Sequence, residues 1–514
     1  MKFRSSLIVG SILLLANSIF LPAQEAFNVI IEPFNIANAP GVHSFSQGQD
    51  SLGRWLIIGG RIDGLHQRQP FATFLAPENN TTAFVIDPAT QQVWASSLSV
   101  LPSALYEQLQ STNQQFFQRD NYLYITGGYG FSATANDHIT YAKLTAIDVN
   151  GLVHAIVNGN TISPFFRQIS DANAAITGGQ LGYLDPFFYL VGGQYFEGKY
   201  NPQGPNNGPG FVQIYSNEIR KFKINDNGIS LSISDYSAIN DTFNLHRRDY
   251  NMLPQIFPDG TYGFTAFSGV FQPNVNLPFL NSIDITAGGY TVNNTFNQYL
   301  SQYHSAKIPL HDAANNLMHN LFFGGMSQYT LDANNNLVQD DNVPFVKTIS
   351  RVSRFGDGSM EEVKLNIEMP TLVGSGAEFL PLKNENFADE MVLLNELPQY
   401  KTLIGYIYGG IESSQANIFF INDGTQSLAS NTIFKVFIDK STGCDIDFAD
   451  LDTYTTGSVF TKEVSGKIQS VATVDSGANV MYDAGEVIFL MPGFIATTAA
   501  NFHAFIEGCP LSSN

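Results

Sequence analysis

Hydrophobic residues along this chain come in short, dense runs that stop abruptly. "WLIIGGRIDG" (Trp55 to Gly64) puts four bulky residues against two glycines and follows them at once with charge. The same design returns in "YLYITGGYG" (Tyr122 to Gly130), "FYLVGGQY" (Phe188 to Tyr195), "NLFFGGMSQY" (Asn320 to Tyr329) and "IGYIYGGIES" (Ile404 to Ser413). A sixth copy, "GFTAFSGVF" (Gly263 to Phe271), has Ser268 in place of the first glycine. Runs this short, rich in aromatic and β-branched residues and closed by glycine, predict buried strands. The pairs begin at residues 59, 127, 192, 268, 324 and 409, an irregular repeat of the size of one four-stranded unit with loops. Internal repetition on that scale means a solenoid or a propeller.

Each repeat has a sequel. "TTAFVIDPATQQVWASSL", "SNEIRKFKINDNGISLSIS" and "NTIFKVFIDKSTG" all read as hairpins, with apolar and β-branched residues on both sides of an Asp, Asn or Gly turn. Helical periodicity is nearly absent; "SALYEQLQS" is the one good short candidate. The unit is thus strand, diglycine strand, long loop, strand, turn, strand. With the hairpin from Val85 to Trp94, it resembles the Kelch repeat family of β-propellers over roughly residues 28 to 440. The resemblance implies an all-β fold with six blades. It departs from the family pattern in its long insertions, its two tryptophans and its one broken diglycine. The unassigned strand "FNVIIEPF" at the start is expected to supply or brace a strand of the last blade, over a propeller domain from 27 to 441.

Beyond Cys444 the rhythm changes. Residues 442–460 are acidic and turn-rich and read as a linker. Residues 461–514, with "DAGEVIFLMPGF" and "NFHAFI", resemble the small three-coathanger-stack β-domain of exported Bacteroidetes-type proteins. That resemblance implies a small C-terminal β-coil domain and a secreted or cell-surface setting on a Gram-negative bacterium, without implying catalysis. The opening residues agree: Lys2 and Arg4 precede an apolar run that ends in small residues near Ala23, the layout of a signal peptide over residues 1–24. No membrane span is expected, since Asn17 and Ser18 interrupt that run. In an oxidising compartment Cys444 and Cys509 are expected to pair, separate thiols being the alternative.

Composition narrows function more than it names it. The chain of 514 residues has 44% hydrophobic and only 14% charged residues, and a net charge of −20. Nucleic acid is therefore not an expected partner, because phosphate recognition needs clustered Lys and Arg. A monomer is expected.

Propeller topology gathers two sets of loops at one mouth of the central channel, those leading into the innermost strand and those joining the second strand to the third. By that rule His43, Arg61, Asp63, His66, Arg247, Arg248, Asp249, His304 and Glu378 converge as a candidate ligand site. A structural ring of ion pairs plugging the channel is the competing reading. Arginine forks suit carboxylates, and Tyr129, Tyr195, Phe196, Phe271 and Tyr329 are candidate stacking partners for sugar rings. The expectation is an exported propeller that binds a glycan, an acidic ligand or a protein. The alternative is a carbohydrate isomerase, mutarotase or lyase using His304 with Glu378, or His66 with Asp249, as acid and base. No cofactor and no metal is expected. The blades hold no cysteine for a radical-oxidase crosslink, and no GxSxG or HExxH motif occurs. "LDANNNLVQDD" spaces Asp332, Asn334, Asn336 and Asp340 like a calcium loop, but Leu337 stands where glycine is needed, and an Asn-rich hairpin turn is the simpler expectation.

Overall fold

The computed structural model describes residues 27–440, 445–506 and 508, apart from 202, 205, 207, 209 and 335. The expected signal peptide and both cysteines lie outside the described residues. Two compact units emerge, one essentially Val29–Phe437 and the other mainly Ile438 onward.

The larger unit is a six-bladed β-propeller. Blades 1 to 4 are four-stranded antiparallel meanders whose first strands are Ser46–Gln49, Gln115–Arg119, Gln180–Leu184 and Asn251–Ile256. Blade 5 starts with Ala306–Asp312 and blade 6 with Leu372–Pro381. First strands of neighbouring blades pack against one another around the channel in blades 1 and 2, 2 and 3, 4 and 5, and 5 and 6. The outermost strand of blade 6 is Asn28–Phe34, from the other end of the chain, so the ring is closed by the strand that the sequence left unassigned.

The hydrophobic runs are the second strands, and their composition reflects stacking on both sides. Successive side chains of a strand point to opposite faces. In blade 1, Trp55 and Ile57 enter a core with Leu380, Tyr406 and Tyr408 of blade 6, while Leu56 and Ile58 enter one with Leu123 and Ile125 of blade 2. A strand buried on both faces shows a continuous apolar run instead of alternation. All four side chains are at most 1% exposed, and each such burial contributes about 1.5–3 kcal/mol.

Two of the three expected hairpins form, Thr82–Asp87 with Gln92–Ser97 and Glu218–Asp226 with Leu231–Asn240. In the first, the Asp87 carboxylate accepts from the backbone N–H groups of Ala89 and Thr90 at 2.9 and 3.1 Å, which holds the turn. The third does not form. Ile433–Asp439 pairs with Asn28–Phe34 rather than with the residues C-terminal to it, because blade 6 takes its last strand from the N-terminus. The expected helix is present at Ser103–Leu109, and a second, unexpected one spans Val149–Val157. There Asp148 caps Gly151 N–H, and Val149, Leu152, Val153 and Ile156 pack into the core of blades 1 and 2.

The smaller unit consists of three three-stranded parallel sheets. Phe448 pairs with Ile468 and Ile468 with Ile488, so each turn of chain adds one strand to each sheet. The linker expectation is corrected here: Phe448–Asp450, Thr453–Tyr454 and Val459–Val464 are the first strands of the three sheets. The turn-rich composition reflects tight corners between short strands. Among the described residues, no helix is long and apolar enough to cross a membrane, which leaves strands untested.

Candidate functional site

The diglycines build the platform on which the site stands. In every blade the second residue of the pair donates its N–H to a carbonyl just before or at the start of the next blade's first strand. The six bonds run from Gly60 to Ser111, Gly128 to Ile176, Gly193 to Arg247, Gly269 to Gln302, Gly325 to Val373 and Gly410 to Val42, at 2.7–3.3 Å. The first residue has to be small for that bond to form. A Cβ on Gly127 would lie 1.9 Å from the Ile176 carbonyl oxygen, and one on Gly324 would lie 2.1 Å from that of Val373. Ser268 meets the same demand in blade 4 with φ +49, its hydroxyl donating to the Phe279 carbonyl at 2.6 Å.

The lead-in loops in turn close a collar around the channel. Asn113 N–H donates to Ser44, Gly178 to Asn113, Asp249 to Gly178, His304 to Asp249, Gly376 to His304 and Ser44 to Gly376. All six bonds lie between 2.8 and 3.2 Å, and they form an unbroken backbone ring with one residue from each blade. Ser44, Asn113, Gly178, Asp249 and Gly376 have positive φ, which turns their peptide groups along the ring. The collar's backbone groups thus satisfy one another, and a ligand there would meet side chains.

Outside the collar, at the mouth, Arg61 is anchored in a bidentate pair to Asp63 at 2.6 and 2.7 Å and donates to Asn79 Oδ1 at 2.8 Å. His43 Nε2 lies 3.9 Å from Asp63. Burial would raise the Asp63 pKa, but His43 and Arg61 outweigh it and hold it at about 2. His66 is packed among Phe74, Tyr200 and Phe419 at ring distances of 4.8–5.9 Å. Burial, with Arg248 and Arg61 nearby, pushes its pKa down to about 4, so it is neutral at pH 7.

Arg247 and Arg248 have opposite fates. Arg247 is fully buried, donating to the carbonyls of Asn244, Ser268 and Asn281 and lying over the Phe279 ring at 4.0 Å. It locks blade 4 together and does not face the mouth, which corrects its place in the expected site. Arg248 reaches into the mouth, where NH1 pairs with Asp249, Nε donates to the Tyr215 hydroxyl at 3.1 Å, and the guanidinium lies 5.2 Å from the Phe271 ring centre. Tyr200 and Tyr303 couple electrostatically to the same guanidinium. Among the described residues, Arg248 NH2 and the hydroxyls of Tyr200 and Tyr303 have no hydrogen-bond partner.

On the inner side of the collar, His304 Nε2 is 3.0 Å from Glu378 Oε1, and Lys307 Nζ is 4.0 Å from Glu378 Oε2. Burial opposes ionisation of Glu378, but Lys307 and His304 prevail and lower its pKa. Burial also lowers that of Lys307. These groups line a cavity of about 140 Å³ bounded by Ser44, Asn113, Asp249 and Gln180. A second cavity of about 160 Å³ shares Gln180, Lys307 and Glu378 with it. At the far end, the short strand Met391–Leu393 pairs in parallel with blade 5's first strand, and Tyr262 donates its hydroxyl to Asp389 O at 2.9 Å. Phe387 and Glu390 of this plug segment line the second cavity.

The nine expected residues are therefore divided. His43, Arg61, Asp63, His66 and Arg248 belong to the mouth, Asp249 and His304 to the collar, Glu378 to the channel, and Arg247 to the interior of blade 4. His304 and Glu378 meet, whereas His66 and Asp249 bond to different partners. Of the expected stacking residues, only Phe271 lies beside Arg248. Tyr129 and Phe196 are buried against each other, Tyr195 donates to Glu197, and Tyr329 packs on Tyr299. Lys307 and Tyr303 were missed although both stand in the "QYHSAK" stretch around His304, and Tyr200 ends the "QYFEGKY" loop. Nothing in the sequence singles out Tyr215. The Asp332 loop is a hairpin turn, its carboxylate accepting from the N–H groups of Asn334 and Asn336 at 2.8 and 2.9 Å. Among the described residues, no cluster of three or more His, Cys, Asp or Glu side chains could hold a metal. Comparison of the sequence with protein-family models and with curated proteins finds no match.

Proposed function

We propose that this chain is an exported propeller of Kelch type that binds an acidic glycan at the channel mouth, with Arg248 as the anion anchor. The observation that carries this reading is the state of Arg248. It is held by Asp249 and Tyr215, yet among the described residues its NH2 group has no hydrogen-bond partner, and Tyr200 and Tyr303, whose hydroxyls are also unpaired among those residues, lie within its electrostatic reach. A guanidinium with a spare donor edge, flanked by phenol hydroxyls, suits a carboxylate. Phe271 supplies an apolar surface beside it. The parallel coil stack at the C-terminus and the basic-then-apolar N-terminal segment support export in the manner of Bacteroidetes-type surface proteins.

The test is Arg248→Ala, probed with oligogalacturonate by calorimetry on the full chain. Loss of one charge-assisted contact predicts affinity lower by roughly tenfold to a hundredfold, about 1.5–3 kcal/mol, with the melting temperature nearly unchanged. A large loss of stability with no measurable change in binding would assign Arg248 to a structural ion-pair ring instead.

A further inference from the structure

The channel chamber between collar and plug is chemically unlike the mouth, and the geometry points to a second binding site there, for a neutral sugar of monosaccharide size. Three features of the chamber lead to that class.

First, its charges are paired or suppressed. Glu378 lies 4.0 Å from Lys307 and 3.0 Å from His304, Asp249 at the upper cavity pairs with Arg248, and burial raises the pKa of Glu390 in the lower cavity, so neither an anion nor a cation finds a large excess of opposite charge. Second, hydrogen-bonding capacity is left over, and it is of both kinds. The Lys307 ammonium has three donors and, among the described residues, no hydrogen bond within 3.5 Å. Gln115 Oε1 is buried without a partner. The side-chain amides of Asn113 and Gln180 also have no protein partner among the described residues. A buried polar atom such as Gln115 Oε1 requires a partner, and the half-buried Lys307, Asn113 and Gln180 add unused capacity around it, so the set suits water or a ligand. A hydroxyl donates and accepts at once, and neighbouring hydroxyls on one ring can accept from Lys307 while donating to Glu378. Third, the size fits. The upper cavity of about 140 Å³ matches roughly five waters at about 30 Å³ each, and the lower cavity continues it past Gln180. Phe116 and Leu181 line the upper cavity as apolar surface for the carbon face of a sugar ring.

Asn113 and His304 line the chamber at the collar end, and Phe387 and Glu390 of the plug segment line it at the other. This site does not depend on the acidic-glycan reading, because its charge balance, its residues and its probe all differ.

The experiment is saturation-transfer NMR on the full chain with galactose, mannose, fucose and N-acetylglucosamine, each at tens of millimolar. At least one of them is expected to receive saturation. Glu378→Gln and the near-isosteric Gln180→Met should each weaken that binding by about tenfold or more, the loss of one or two buried hydrogen bonds. Gln180→Met guards against misfolding, since it keeps side-chain length and should leave the melting temperature unchanged. The inference is overturned if none of the four sugars binds, if both variants bind as well as the parent, or if oligogalacturonate displaces the sugar competitively.

Discussion

The propeller and the stack of parallel sheets in the C-terminal unit are both built from short strands and glycine turns, yet they deal with their ends differently. In the propeller each blade is bonded to the next by a diglycine N–H, the collar links all six again, and Asn28–Phe34 completes blade 6. No blade is terminal. The stack has a first and a last coil, and its buried core lies mostly in the middle one, at Ile468, Val474, Val480 and Tyr482. Leu451 and Val459 of the first coil and Phe489, Leu490 and Ile495 of the last are exposed. A closed ring distributes a local defect around its whole circumference, whereas a stack contains it within neighbouring coils. The difference explains why the site sits where it does: only a closed architecture can hold six loops in a collar.

Removing residues 27–34 should have the largest effect. Blade 6 would lose its outer strand with buried Val29, and the ring would have two ends. A loss of roughly 5 kcal/mol or more is expected, with hydrogen exchange rising in blade 6 and in blade 1 together. If exchange rises in blade 6 alone, the ring is less cooperative than its bonding suggests. Truncating the last coil should instead raise exchange only within the stack.

A matched pair of glycine substitutions comes next. Gly127→Ala drives a Cβ into the Ile176 carbonyl at 1.9 Å with φ at +63, and should cost about 3 kcal/mol or more. Gly457→Ala in the stack has φ +88 but nothing within 4 Å, and should cost about 1 kcal/mol. Equal losses in chemical denaturation would show that backbone conformation, not the interblade contact, accounts for the diglycine.

The smallest effect is confined to a pH window. His66 has its folded pKa lowered from 6.5 to about 4, so its contribution to stability is present above 6.5 and is lost as pH falls towards 4. His66→Phe should flatten the stability profile between those values by on the order of 2 kcal/mol. An unchanged slope in the variant would assign the acid sensitivity to other groups.

Part of this architecture is legible in the residues alone. The diglycine strands are readable because a strand buried on both faces needs an unbroken apolar run, and the Cβ clash leaves a glycine signature. The closing strand is readable because "FNVIIEPF" has no partner nearby. The Val149–Val157 helix was missed although its Asp148 cap and its apolar spacing are present, outweighed by the β pattern around it. The collar leaves no signature at all. Ser44, Asn113, Gly178, Asp249, His304 and Gly376 share a backbone role that fixes no common side chain, so alignment of the repeats by residue type passes over it.

Local sequence, then, determined the repeating strand unit and which loops reach the mouth, because burial periodicity and steric demands at glycine act over a few residues. Tertiary structure decided the rest. Arg247 and Arg248 are adjacent, but the backbone sends their side chains opposite ways, one into the blade among carbonyls and one into the mouth beside Tyr215. His304, Lys307 and Glu378 became one cluster because blades 5 and 6 are neighbours in the ring. Those outcomes rest on the approach of groups tens to hundreds of residues apart, which closure of the ring brings about and no local pattern encodes.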